Sequence, residues 1–194
     1  MKVVLSEEQL ICVLSEIITK RKDPFSDEGT QHMIYDSKKN PNIVFKIGHP
    51  YFVDKWLDIF KKFPKYFPKI YRVGVLMDRN EYKYVEMEKM DTKRVKDEWR
   101  LMTQSFWDIG LLDEYNVEDV GIIFRNCIVD EEYDRNVMNS IGGIDKGVYK
   151  LFVKWLNFLH LLNSLIEPLK GNMLDIHDGN FGYDKKGNIK CFDI

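Results

Sequence analysis

The spacing of apolar residues changes close to Met90. Before it, the segments 70–77 and 81–87 alternate apolar and polar residues, as half-buried strands do. After it, apolar residues recur with a period of about 3.6 over 95–109 and 148–166, which is typical of helices. The order predicts an α+β protein with a small sheet lobe over 27–90 and a helical lobe over 91–194.

The N-terminal part carries clear start and stop signals. Ser6 and Gln9 form a capping box, and the apolar stripe after it predicts a helix over 6–21, within a helical extension over 1–26. Pro50 begins a second helix, which the Phe63-Pro64 pair ends. The strands predicted here form two antiparallel hairpins and cover 30–36, 43–47, 70–77 and 81–87.

The C-terminal part is predicted to be helical until its last twenty residues. Pro168 and Gly171 are expected to end the long helix over 148–166. The segment 111–144 is predicted to hold one or two short helices, broken at Gly142-Gly143. Two short strands, near 181–183 and 189–192, are expected to form a terminal hairpin.

Charge and composition exclude several classes of partner. The chain has 29 Lys and Arg against 31 Asp and Glu, so no nucleic-acid partner is expected. Glu7, Glu8 and Glu16 interrupt any signal-peptide core, and the apolar segment 151–169 contains polar residues. We therefore expect no membrane segment and a cytoplasmic location.

Several other residues are expected to be structural. The three cysteines, Cys12, Cys127 and Cys191, are far apart, which favours a reducing compartment and small buried side chains. The acidic clusters are expected to form a solvated face, although they could also attract a cationic partner; they lie at 113–114, 118–119 and 130–134. Aromatic residues on the helical stripes are expected in the core; they are Trp99, Phe106, Trp107 and Trp155.

The last twenty residues, DIHDGNFGYDKKGNIKCFDI, hold more chemistry than a hairpin needs. Asp175 and Asn180 are five positions apart, and Asp193 follows thirteen positions later. Lys46 lies in an apolar strand, where an ammonium group needs an anionic partner. Phosphoryl transfer requires a carboxylate to orient the attacking hydroxyl, ligands for Mg²⁺ and a cation on the nucleotide phosphates. These four residues match that set.

The order of these motifs resembles that of the protein kinase-like fold. The D-x-H-x-G-N loop is similar to that of the aminoglycoside and choline kinase branch and of small kinase-like proteins of tailed bacteriophages. The resemblance implies that Asp175 is the catalytic base and that Lys46 binds the α- and β-phosphates of ATP. It implies that Asn180 and Asp193 hold Mg²⁺ and that His177 touches the transferred phosphate.

The resemblance covers about residues 27–194 and extends to a nucleotide-binding hinge. Met87 corresponds to the gatekeeper, and the backbone of Glu88 and Met90 would face adenine. Gly29 is the one glycine in the segment that would cover the phosphates. The implied fold has two lobes with the nucleotide between them.

Four departures from the kinase pattern leave alternatives open. No glycine-rich loop precedes Lys46, and Met173 stands where a histidine is common. No clear helix glutamate follows Lys46, although Asp54 and Asp58 are nearby. Only one residue follows Asp193, which implies a minimal fold without the activation loop and the later helices.

The preferred interpretation is an ATP- and Mg²⁺-dependent phosphotransferase, a phage-type kinase that acts on a host protein. A partner protein or a second copy in a homodimer would supply the missing platform for a protein substrate. One alternative is a pseudokinase that binds a protein during host takeover or counter-defence. Another is a small-molecule kinase of the aminoglycoside type.

Overall fold

A computed structural model describes residues 18–20, 32–76, 82–115, 119–170 and 175–192. Within these ranges the protein is α+β, with antiparallel sheets and six α-helices. The chain divides into two compact units, Met1–Met90 and Asp91–Ile194. None of the helices in these ranges combines the length and the apolar character needed to cross a membrane.

The first unit contains a five-stranded antiparallel sheet in the order β1-β2-β3-β5-β4. Both predicted hairpins are confirmed, because β2 pairs with β3 and β4 pairs with β5. Asn40 makes the first turn, accepting the Ile43 N–H at its carbonyl and the Asn42 N–H at its side chain. The strands are β1 (Ile18–Lys20), β2 (His32–Ser37), β3 (Ile43–Gly48), β4 (Ile70–Leu76) and β5 (Tyr82–Glu88).

Helix α1 (Pro50–Lys62) begins and ends where the sequence predicts. Pro50 occupies the first turn, where its missing N–H costs nothing, and the side chain of His49 accepts the Tyr51 N–H. The apolar face of α1 is buried, and Phe60 stacks between Trp56 and Phe67. This stack gives the first unit its aromatic core.

The prediction of a helix over 6–21 is wrong at its end. Residues 18–20 form strand β1, in which Thr19 pairs with Asp36 of β2. β-branched residues such as Ile18 and Thr19 fit an edge strand well, and pairing with β2 overrides the helical pattern. The rest of the predicted helix lies outside the described residues.

The second unit begins with a long helix and ends with a short hairpin. Its elements are α2 (Thr92–Asp108), α3 (Leu111–Tyr115), α4 (Val120–Val129), α5 (Glu131–Ser140), a 3₁₀ turn (Ile141–Gly143), α6 (Lys146–Lys170), β6 (Phe181–Tyr183) and β7 (Ile189–Cys191). The terminal hairpin is confirmed, and Gly187 adopts the positive φ that its turn requires. The second unit therefore matches the predicted order of elements.

The segment 111–144 contains three short helices instead of one or two. Two residues of the acidic clusters explain the difference, because each caps a helix start. Asp119 accepts the Gly121 N–H, and Asp130 accepts the N–H groups of Glu132 and Tyr133. These carboxylates therefore have a structural function beyond forming a solvated face.

Two predictions about helical residues need correction. Pro168 does not end the long helix, which continues to Lys170. A proline near the end of a helix removes only one hydrogen bond, so the helix can continue past it. Trp107 is largely exposed, because the buried face of α2 follows Trp99, Met102 and Phe106 and leaves Trp107 beside it.

The core of the second unit is aromatic. Trp99 packs against Phe124, Trp155 and Phe181, with ring centroids 5.4, 5.5 and 6.1 Å away. Cys127 and Cys191 are buried free thiols, as expected. Burial raises the pKa of the Cys127 thiol, so this side chain stays unreactive.

Candidate active site

The candidate site is built on the loop that joins α6 to β6. Asp175 is exposed, Ile176 after it is buried, and a 3₁₀ turn over Asp178–Asn180 leads directly into the hairpin. His177 caps this turn, because its Nδ1 atom accepts the Gly179 N–H at 3.1 Å. Residues 175–180 of this loop therefore have a defined conformation.

Asn180 connects the two ends of the segment 175–180. Its buried side chain donates from Nδ2 to the Asp175 carbonyl at 3.0 Å and to Asp175 Oδ2 at 3.4 Å. Its own carbonyl accepts the Phe192 N–H at 2.9 Å. Since Nδ2 is the donor in both side-chain bonds, Oδ1 is the atom that could bind a cation, and Mg²⁺ prefers oxygen ligands.

His177 lies beside the Asp175 carboxylate. Its Nε2 atom is 3.3 Å from Asp175 Oδ2. Because Nδ1 accepts a hydrogen bond from Gly179, the proton of the neutral imidazole is on Nε2 and faces the carboxylate. His177 thereby orients Asp175.

Arg125 is a site residue that the sequence interpretation missed. Its Nη2 atom is 3.8 Å from Asp175 Oδ1, whereas the contacts made by His177 and Asn180 are to Oδ2. Arg125 lies on α4, fifty positions before Asp175 in the chain. No local motif links the two residues. The sequence offers one indirect signal for Arg125: Gly121 and Arg125 are four positions apart, so they share one face of a helix.

Gly121 lets α4 approach the loop closely. A Cβ atom at this position would lie 2.8 Å from Asp119 Oδ1, 3.0 Å from the Trp99 ring and 3.2 Å from the Ile176 carbonyl oxygen. The ring is held by the aromatic core and the carbonyl by the backbone. The first turn of α4 is therefore packed directly against the residue that follows Asp175.

We expect Gly121→Ala to destabilise the protein by about 1–3 kcal/mol, since the added methyl group overpacks this contact. The midpoint of urea denaturation measures the loss, and amide NMR shifts of Ile176 and His177 report the displaced loop. Gly142→Ala is the matched control, because its added Cβ meets nothing within 4 Å. Equal midpoints for the two variants would contradict the close contact.

Lys46 is buried in the first unit, on β3. Its side chain is 0% exposed, and its Nζ atom lies 4.8 Å from the centroid of the Trp56 ring. This cation–π contact stabilises the ammonium group inside the sheet. Of the two candidate acidic partners, Asp54 pairs with Lys83 at 2.6 Å, and Asp58 is exposed.

The predicted gatekeeper and hinge follow on β5. Met87 is buried opposite Val44 in the ladder, and Lys46 pairs with Val85, so these side chains share one face of the sheet. The Glu88 N–H donates to the Lys69 carbonyl at 2.8 Å, so this N–H already has a partner within the first unit. Met90 is buried at the end of the unit.

The structure brings together some of the predicted residues. Asp175, His177 and Asn180 form one cluster, and Lys46 and Met87 share a sheet face in the first unit. Gly29 and Asp193 lie outside the described residues. Within the described ranges, no group of three or more His, Cys, Asp or Glu side chains is arranged to hold a metal ion.

A half-buried carboxylate anchors the hairpin that follows the loop. Glu98 of α2 accepts hydrogen bonds from the Trp155 indole at 2.9 Å and from the Tyr183 hydroxyl at 2.5 Å, both at Oε2. Arg94 donates to Oε1 at 3.0 Å, and Lys154 donates to the Tyr183 oxygen at 2.8 Å. Burial and the Glu98 bond raise the pKa of the Tyr183 phenol, so it remains a hydrogen-bond donor.

No protein-family model matches this chain, and no curated protein matches its sequence.

Proposed function

We propose that the protein is a phosphotransferase of the protein kinase-like superfamily, which uses ATP and Mg²⁺ to phosphorylate a hydroxyl group. One observation carries the proposal: an exposed carboxylate, Asp175, is oriented by His177 and Asn180 at the start of a short hairpin. A general base needs this combination of access to the acceptor and a fixed direction.

In the proposed reaction, Asp175 accepts the proton of the attacking hydroxyl. Asn180 and Asp193 would hold Mg²⁺, which would neutralise charge on the phosphates. Lys46 supplies a cation for the α- and β-phosphates, and His177 contacts the transferred group. A protein is the proposed acceptor, and a partner or a second copy would help to present it.

A second candidate function is a protein-binding pseudokinase. The observation that favours it is the environment of Lys46, whose ammonium group is fully buried over the Trp56 ring. A lysine stabilised in this way has a structural function without any nucleotide. In this candidate the protein recognises a partner and does not turn over ATP.

Calorimetric titration with ATP, with and without Mg²⁺, tests the proposal together with an assay for ADP release. The acceptors would be water, a peptide library containing Ser, Thr and Tyr, and an amino sugar. Transfer to peptides supports the proposed function, and Mg²⁺-dependent binding without turnover supports the pseudokinase. Turnover with the amino sugar alone indicates a small-molecule kinase, and absence of ATP binding contradicts both kinase interpretations.

We expect Lys46→Met to weaken MgATP binding by about 10-fold or more, because a charge-assisted contact to the phosphates is lost. Thermal stability is measured in parallel, because the substitution also removes the cation–π contact of Lys46 with Trp56. Lys62→Met is the control, because Lys62 also lies over an aromatic ring, Phe63, but is exposed. Unchanged affinity combined with lower stability would show that Lys46 is structural only.

A further inference from the structure

We infer that Arg125 is a positioning residue, which sets the direction of the Asp175 carboxylate from a helix outside the catalytic loop. The inference rests on the proposed function, because it assigns Arg125 a part in the same reaction. The contact that motivates it is the 3.8 Å separation between Arg125 Nη2 and Asp175 Oδ1.

The helix that carries Arg125 is fixed against its surroundings at its first turn. Asp119 accepts the Gly121 N–H at 2.6 Å, and Thr103 of α2 accepts the Val120 N–H at 3.3 Å. Gly121 lies against the Ile176 carbonyl, one turn before Arg125. Gly121 and Arg125 are four positions apart, so they share the helix face that meets the loop.

The contacts of Asp175 divide between its two oxygens. Oδ2 is close to the Nε2–H of His177 and to the amide of Asn180, at 3.3 and 3.4 Å. Oδ1 has Arg125 as its cationic neighbour, at a longer distance that leaves a lone pair available. The geometry therefore assigns the proton-accepting role to Oδ1, and Arg125 controls which way this oxygen points.

The positive charge of Arg125 contributes to its effect on the orientation of Asp175. A guanidinium group keeps its charge throughout the pH range of enzyme assays, and its planar fork restricts the orientation of a carboxylate. The Arg125 side chain is 44% exposed, so it contributes little to the core and can be replaced without unfolding the protein. A loss of turnover in its variants would thus report on the site.

Steady-state kinetics of Arg125→Gln, Arg125→Lys and Arg135→Gln test the inference. We expect Arg125→Gln to lower kcat about 10- to 100-fold with the KM for ATP changed less than about 2-fold, because a misdirected base affects the chemical step. Arg125→Lys should recover part of the rate, since it restores the charge without the fork. Arg135, exposed on α5, is the control and should leave kcat unchanged.

An NMR measurement gives a readout that does not depend on turnover. The side-chain amide of Asn180 and the backbone amide of Gly179 report on Asp175 and His177, and both signals should shift in Arg125→Gln but not in Arg135→Gln. If kcat and both signals stay at wild-type values in Arg125→Gln, the positioning role is wrong and the proposed function stands. If the wild type shows no turnover, the proposed function fails, and the two signals alone decide whether Arg125 orients Asp175.

Discussion

Asp175→Asn is expected to lower ATP turnover by about 10³-fold, within the range that a positioned general base contributes. Asparagine keeps the shape of aspartate and can still accept from His177 and Asn180, but it does not take a proton. The Asp175 side chain is 61% exposed, and the main contact from Asn180 is to the backbone carbonyl of residue 175. The fold should therefore survive the substitution.

Asp178→Asn is the matched control for this experiment. Asp178 lies in the same loop, three positions after Asp175, and belongs to the 3₁₀ turn. Its variant should keep most of the wild-type turnover, and both variants should keep the wild-type melting temperature. Turnover of Asp175→Asn within about 5-fold of the wild type would be too high for loss of a general base, and it would contradict the assignment.

Glu98→Ala is expected to reduce the stability of the second unit by about 2–4 kcal/mol, because two largely buried donors lose their acceptor at about 1–3 kcal/mol each. The Glu98 side chain is 15% exposed, and its loss leaves the buried Trp155 indole and Tyr183 hydroxyl without their acceptor. Arg94 loses its carboxylate partner in the same substitution. Chemical denaturation followed by circular dichroism measures the effect.

Asp97→Ala is the control for Glu98→Ala, at the neighbouring position of the same helix. The Asp97 side chain is 50% exposed and pairs with Arg100 at 2.9 Å, a surface pair whose removal should cost less than about 1 kcal/mol. Glu98→Gln retains an acceptor and should fall between the two variants, which keeps the test informative if Glu98→Ala does not fold. Similar denaturation midpoints for Glu98→Ala and Asp97→Ala would show that the network contributes little.

Most elements of the fold could be predicted because their signals are local. Pro50 and the Phe63-Pro64 pair mark the bounds of α1, and the turn at Asn40 joins two strands of the expected type. The failure at Thr19 depends on a contact that is distant in sequence, because Asp36 of β2 pairs with it. Pro168 stays in the helix because it lies near the C-terminal end, where a proline removes only one hydrogen bond.

The candidate site shows the same division. Asp175, His177 and Asn180 could be predicted to lie together because they fall within six consecutive residues of one loop. Arg125 could not, because its contact with Asp175 depends on how α4 packs against the loop. Asp119 illustrates a third case. Aspartate is a common helix cap, but the acidic residues around it led to the prediction of a solvated surface, whereas Asp119 caps α4.

The backbone of Tyr183 has a further consequence for motion in the second unit. Its N–H and carbonyl exchange hydrogen bonds with Asp91, the residue immediately before α2, while its hydroxyl reaches Glu98 on the same helix. A fluctuation that detached the hairpin would have to break all of these bonds together. We therefore expect the β6–β7 hairpin and the start of α2 to exchange their amide protons together, and these bonds hold the C-terminal end of the loop between α6 and β6.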